Sequence, residues 1–332
     1  MPRKLSCAKE PRLKPRSVPD RLIRALAGAG ELWRDPRSSF CLRAIQALQV
    51  STGFTPLLIR RALDAAFEEL AEAKLRRFWR DRIAGESGLR TLTVLHIAAG
   101  NVFTAWLHGA VVTLLMGHRC RIKPSSTEPV FARLWKDSVS QTDSSAARRI
   151  EIVSWNENLK DEADLVVAYG SDPTISLLRN KFHPKPVIGY GHKLSAGIIF
   201  EKAGRSDGWP DWKERLVRDA EAFERRGCLS PQILYVEDGM EDVVRGALVG
   251  PAVRMISFKE EKDLYAGLDS LGPYLSCIGV AGGNERIQKV RNHYRRKPQV
   301  RICRLGDMQR PSLFWNNGGI DLVREIGRIA DV

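Results

Sequence analysis

Residues 92–97 (LTVLHI), 119–124 (RCRIKP), 149–155 (RIEIVSW), 164–170 (DLVVAYG) and 185–191 (KPVIGYG) decide the fold. Each is a short β-prone run, and a helical or polar segment separates it from the next. That alternation predicts an α/β domain with a mostly parallel sheet, since parallel strands need long crossovers. A nucleotide site at the strands' C-terminal ends is the expected consequence. Further along, DGWP at 207–210 is turn chemistry, and Asp211–Arg226 reads as an amphipathic helix. Its apolar face carries Leu216, Val217, Ala220 and Phe223, and Gly227 stops it. The runs QILYVE, VRMISF, LSCIGVAG and VRICRL then predict a second α/β lobe beginning near residue 198.

Before the first strand, Leu22–Trp33, Phe40–Gln49 and Thr55–Arg82 space their apolar residues as helices do. From Thr91 to Gly117 there is no Asp, Glu, Lys or Arg, a length that calls for a membrane test. His96, Asn101 and His108 interrupt the run, and Gly100-Asn101 is turn chemistry, so it reads as strand, turn and buried helix without a membrane span.

Composition is that of a globular protein: 332 residues, 43% hydrophobic and 28% charged, long enough for two lobes. The 53 basic and 39 acidic side chains leave a net charge of +14, which suits an anionic small molecule, an acidic protein, a membrane surface or nucleic acid. Residues 1–24 hold eight basic side chains, two acidic ones and four prolines, and read as a basic, poorly ordered tail. Its opening lacks the apolar core of a signal peptide, and the six cysteines have no zinc-like or secreted-scaffold spacing. A cytoplasmic location with reduced thiols is expected. The aromatic residues are not interleaved with the basic clusters, which disfavours nucleic acid.

Several familiar signatures are missing. GAG at 28–30 has neither a preceding strand nor a third glycine, no P-loop or HExxH occurs, and the six histidines are scattered, so no metal site is expected. CIGVAGGNERIQ places glycines before a helix start, where ordinary packing is the simpler reading.

Four pieces carry chemistry, in a fixed order: Gly100-Asn101, Ile122-Lys123-Pro124-Ser125, Tyr169-Gly170-Ser171 and Gly227-Cys228-Leu229-Ser230-Pro231-Gln232. Singly, Asn101 is a turn residue, Lys123 a surface charge, Ser171 a helix N-cap and Cys228 a buried thiol. Together, at intervals of 22, 48 and 57 residues, they resemble the aldehyde dehydrogenase superfamily. Within it, RRGCLSPQILYVE and the ending RICRLGDMQRPSLFWNNGG are most similar to the LuxC-type acyl-CoA reductases.

The resemblance implies an aldehyde dehydrogenase-like α/β fold, a parallel-sheet dinucleotide-binding domain plus a second α/β catalytic domain. The expected division is a helical N-terminal region and NAD(P)-binding domain over 25–197, a catalytic domain over 198–305 and a C-terminal signature segment over 306–332. It implies Cys228 as nucleophile, with the Asn101 side chain and the Cys228 backbone N–H as oxyanion donors. Arg225 and Arg226 would favour the thiolate, and a preceding helix C-terminus would oppose it. Lys123 corresponds to the lysine that contacts the adenine ribose, and Gly170-Ser171 to the pyrophosphate turn. Ser126 stands where NAD-preferring relatives often carry glutamate, which favours NADPH, with Glu128 two residues on.

Aldehyde-oxidising members cleave the acyl-enzyme with water, assisted by a glutamate in a segment like ELGGKS. The matching segment is IGYGHKLS, with Gly189 at that position, and residues 173–200 contain no Asp or Glu. The implied reaction is reduction of acyl-CoA, or of an acyl-carrier protein, to an aldehyde. The implied company is an acyl-activating or acyl-transferring enzyme and a homo-oligomer. Val102–Met116 is either an acyl-channel wall or a helix packed on the sheet. The rival readings are an aldehyde-oxidising dehydrogenase and a catalytically inactive basic binding protein of the same fold.

Overall fold

The structure, a computed structural model, describes residues 19–86, 90–201, 211–248 and 253–331. Four helices open it: α1 (Asp20–Arg34), α2 (Ser39–Thr52), α3 (Pro56–Phe67) and α4 (Glu72–Phe78). Local chemistry sets their ends. The Ser38 and Thr55 hydroxyls accept the N–H groups of Cys41 and Leu58, Pro56 occupies the first turn of α3, and Gly53 closes α2 at φ 74°. Asp20–Arg24, expected in the basic tail, are the first residues of α1, because Leu22 and Ile23 are buried in the core. Residues 1–18 of that tail, and DGWP at 207–210, lie outside the described residues.

The chain then alternates β1 (Thr93–Ile97), α5 (Leu107–Leu115), β2 (Arg119–Lys123), α6 (Val130–Thr142), the short α7 (Ser144–Ala147), β3 (Ile150–Ile152), β4 (Leu165–Tyr169), α8 (Asp172–Phe182) and β5 (Val187–Tyr190). These strands form an all-parallel sheet in the order β3-β2-β1-β4-β5. Its central strands are buried on both faces, which explains their near-continuous apolar texture. One face packs against the N-terminal helices, where Trp33 stacks on Phe67 at 5.0 Å and donates to Ser138 Oγ at 2.9 Å. The other is covered by Ile175, Leu178 and Phe182 of α8.

The second half comprises β6 (Leu194–Ile199), α9 (Trp212–Glu221), β7 (Pro231–Glu237), α10 (Glu241–Ala247), β8 (Arg254–Phe258), α11 (Glu261–Asp269), β9 (Leu275–Ala281), α12 (Asn284–His293), β10 (Arg301–Arg304) and α13 (Leu322–Ala330). Its strands form a second parallel sheet in the order β10-β9-β6-β7-β8.

Two expectations need correction. The lobe boundary at 198 cuts through β6, which lies at the centre of the second sheet; the change of sheet falls between Tyr190 and Leu194. The helix expected to run to Arg226 ends at Glu221, because Phe223, Glu224 and Arg225 take positive φ values of 50°, 51° and 65°. The apolar spacing persists there while the backbone reverses hand. The C-terminal segment returns to the first half, where Leu313, Val323 and Ile326 join the first core. Among the described residues, no helix is long and apolar enough to cross a membrane.

Candidate active site

Three loops line one groove. The first follows β1 and carries Gly100 and Asn101. A Cβ on Gly100 would lie 2.0 Å from Thr127 Oγ1, so the turn after β2 requires glycine there. The second joins β4 to α8. Ser171 caps that helix, accepting the Thr174 N–H at 3.3 Å. The third precedes β7 and carries Cys228.

Polar groups from both neighbouring strands hold the cysteine loop. Ser195 Oγ of β6 donates to the Cys228 carbonyl at 2.5 Å, Gln232 Nε2 donates to the Gly227 carbonyl at 3.1 Å, and Ser230 Oγ donates to the Ala222 carbonyl at 3.1 Å. Asn101 joins the loops by donating Nδ2–H to the Arg226 carbonyl at 2.7 Å. An amide carries two such hydrogens, so one remains available.

Cys228 is half-buried and lines two spaces. One is a groove of about 770 Å³ whose wall includes Asn101, Gly170, Ser171, Arg179 and Lys193. The other is a cavity of about 180 Å³ between the first core and the C-terminal segment, with Val102, Ala105, Val112, Leu313 and Val323 among its lining. One face of the 102–116 segment therefore lines this cavity while the rest of α5 is buried in packing.

Burial pushes the Cys228 thiol up to about 11, opposed by its own backbone N–H and by the Lys193 ammonium. This corrects the expectation for Arg225 and Arg226: the cation acting on the sulfur is Lys193, while Arg226 pairs with Glu224 and lies over the Phe54 ring. The helix α9 stops at Glu221, and the carbonyl at its C-cap, Ala222, accepts the Ser230 hydroxyl of the cysteine loop.

Asn101, Gly170, Ser171 and Cys228 thus share one groove, whereas Lys123 and Ser126 are not part of its wall. Lys123 ends β2, paired with Ile97 of β1, and its Nζ lies 5.8 Å from the centre of the Trp155 ring. Lys181 Nζ sits 4.1 Å from the same indole, which is 42% exposed. Ser126 is exposed, while Glu128 is turned inward and caps α6, accepting the N–H groups of Val130 and Phe131 at 2.8 and 2.9 Å. Among the described residues, no three His, Cys, Asp or Glu side chains converge as a metal site.

The sequence reading missed Lys193, Ser195, Gln309 and Trp155 as parts of the site. CLSPQ and GHKLS contain the loop-holding side chains, but only pairing of β6 with β7 brings the two segments together. Gln309, which donates to Ser230 Oγ at 3.3 Å, comes from the C-terminal segment.

A family model described as acyl-CoA reductase (LuxC) matches residues 20–247. The chain belongs to the LuxC family of acyl-CoA reductases. A curated protein called a long-chain acyl-protein thioester reductase, from Photorhabdus laumondii subsp. laumondii, is 24% identical over 166 residues. That match takes in 47% of this LuxC-family chain and 34% of the relative, about a third of its length. The fold is that of the aldehyde dehydrogenases. A succinic semialdehyde dehydrogenase from Streptococcus pyogenes, solved with NADP+, superposes with a TM-score of 0.65 at 9% identity, over 82% of this chain and 79% of that one. An aldehyde dehydrogenase 21 from Physcomitrella patens gives 0.53 at 14% identity, over 69% of this chain and half of the other.

Proposed function

We propose that this LuxC-family chain reduces acyl thioesters to aldehydes through an acyl group carried on Cys228, with NADPH as reductant. The observation that supports this most is the position of Cys228 between an apolar cavity and a larger groove that carries Ser171, Asp172, Arg179 and Lys193. The thiol gives its proton to solvent or a groove base and attacks the thioester carbonyl; the C–S bond to the donor then breaks, and the donor leaves as a thiol. Asn101, with its second amide hydrogen, and the Cys228 backbone N–H meet the negative charge that develops on oxygen.

The groove residues fit a dinucleotide. Gly170 and Ser171 bring the start of α8 to the groove wall, where the backbone N–H groups of its first turn favour a phosphate. Outside the groove wall, Lys123 and Lys181 flank an exposed indole, and no carboxylate pairs with either among the described residues, which suits a ring bearing a 2′-phosphate. Ser126 is exposed and Glu128 is turned inward, so neither presents a carboxylate to that phosphate. When bound, NADPH supplies a hydride to the acyl carbon, which leaves the sulfur as an aldehyde.

Hydrolytic release finds no support. Among the described carboxylates, Asp172 lines the groove and Asp321 the cavity. Asp172 accepts the His192 N–H at 2.8 Å, while Asp321 pairs with Arg82 at 2.7 Å and caps α13. The donor, CoA or an acyl-carrier protein, would reach the sulfur by a phosphopantetheine arm, whose phosphate the net charge of +14 attracts. The test is NADPH oxidation with trapping of the aldehyde over an acyl-CoA panel. Consumption matched by aldehyde supports the reading. Oxidation of an aldehyde to carboxylate with NADP+ as acceptor, without reduction of any acyl-CoA, would establish the oxidising alternative, and no turnover with any acyl-CoA, acyl-carrier protein or aldehyde would favour an inert binding protein.

A further inference from the structure

Helix α9 turns Trp212, Leu216 and Ala220 inward, and with them Asp219, a fully buried carboxylate. A charge so placed is costly unless hydrogen bonds and an opposite charge meet it. Its oxygens hold the turn that follows β10: Oδ2 accepts the Gly306 N–H, and Oδ1 accepts the Met308 N–H at 3.2 Å. The turn lies so close to the helix that a Cβ on Gly306, at φ 93°, would be 2.8 Å from Arg215 Cγ. Arg301 of β10 grips the same turn by its carbonyls, donating to those of Asp307 at 3.0 Å and Met308. Gln309, the next residue, donates from Nε2 to Ser230 Oγ at 3.3 Å and to the Asp219 carbonyl at 3.4 Å. Ser230 belongs to the cysteine loop. A buried charge is thus joined to that loop through one turn and one amide.

We propose that Asp219 is a positioning residue: its carboxylate fixes the 306–309 turn so that Gln309 holds Ser230, and with it Cys228, in the arrangement that takes up an acyl group. The inference rests on the reading of Cys228 as acyl carrier. Burial pushes the Asp219 carboxyl up to about 7, opposed by the two N–H groups and by Arg301, while Asp307 adds to the shift. Arg215 of the same helix and the thiols of Cys277 and Cys303, on β9 and β10, also act on it. On the side of a cavity of about 240 Å³ it shares the wall with Arg61 and Asp64 of α3 and with Arg218, Glu221 and Arg310. Protonation turns one carboxyl oxygen into a hydroxyl, so one of the two ties to the turn is lost.

The experiment follows single-turnover acylation by intact mass, without NADPH, on either side of pH 7, with the fastest member of a straight-chain acyl-CoA panel. The parent is compared with Asp219→Asn, Gln309→Leu and the double variant. The parent should change about tenfold per pH unit on the alkaline side, where only the thiol titrates, and more steeply on the acid side, where the carboxylate titrates as well. Each single variant should be slower by on the order of tenfold on the alkaline side and lose the break in slope, and the double variant should be no slower than the slower single one. A merely structural role would lower the rates and leave the break in Gln309→Leu. A parent without the break, Asp219→Asn at the parent's rate, or Gln309→Leu with the break retained overturns the inference while leaving the acyl carrier intact. A parent that takes no acyl group overturns the carrier reading, and this inference falls with it. If Asp219→Asn does not fold, Gln309→Leu decides, because it leaves the buried carboxylate in place.

Discussion

On the side of the site proposed to hold a dinucleotide, turns follow local rules: Ser171 caps α8, Glu128 caps α6, and Gly100 sits where no Cβ fits. On the thiol side, three consecutive residues hold positive φ, and the cysteine loop is secured by Ser195 and Gln232 from neighbouring strands. The first region asks little of the rest of the fold; the second exists only once two strands, α3 and the C-terminal segment have assembled around it. Capped turns are cheap to specify locally, whereas a half-buried thiol beside a shaped cavity is a tertiary construction.

Substitutions on the two sides should therefore differ in kind. The largest effect is expected from Cys228→Ala, which removes the proposed nucleophile: NADPH oxidation should fall by on the order of 10⁴-fold or more, with the cofactor dissociation constant unchanged by titration calorimetry. Retained turnover would remove the thiol from the account. Asn101→Ala should lower single-turnover acylation by about 10²–10³-fold, with little change in cofactor binding. Because Asn101 also ties its loop to Arg226, its melting curve shows how much of that loss is positioning.

The raised thiol pKa has a pH signature. Acylation should rise about tenfold per pH unit above neutrality and level off near pH 11, and Lys193→Met should move that inflection upward. The sign for stability follows from the same shift: the folded thiol holds its proton above the ordinary value of 9.0, so its contribution is full below that pH and is lost on the way to about 11. A flat acylation profile would mean that the sulfur ionises by another route.

Smaller effects are expected from purely local changes. Gly189→Glu puts a carboxylate where water-using relatives carry one, but its Cβ would lie 2.2 Å from Ile175 Cγ2. The variant should lose about 1–3 kcal/mol in urea unfolding and gain no thioester hydrolysis. Ser171→Ala should cost about 1 kcal/mol through the lost cap; if its cofactor affinity also drops, the hydroxyl serves both helix and ligand.

The same contrast explains what was legible in the sequence. LTVLHI, RCRIKP and DLVVAYG announce themselves because buried parallel strands must be apolar on both faces, and GS after a strand is recognisable as a cap. The start of β6 was missed because Leu194-Ser195 does not look like a core strand; Ser195 is polar for the sake of the cysteine loop. The overrun of α9 has a related cause, since Leu216, Ala220 and Phe223 keep helical spacing although Phe223 serves a cavity wall. The ending QRPSLFWNNGG was noticeable as a signature, but its task of closing the apolar cavity depends on contacts with α3 and α5 that no local pattern encodes.

The account stands or falls on one covalent bond. Intact and peptide mass spectrometry of the protein mixed with acyl-CoA, with no reductant present, should show a single added acyl group on the peptide that contains Cys228, removed on addition of NADPH with release of aldehyde. An unmodified protein, or an acyl group found on another residue, would contradict it.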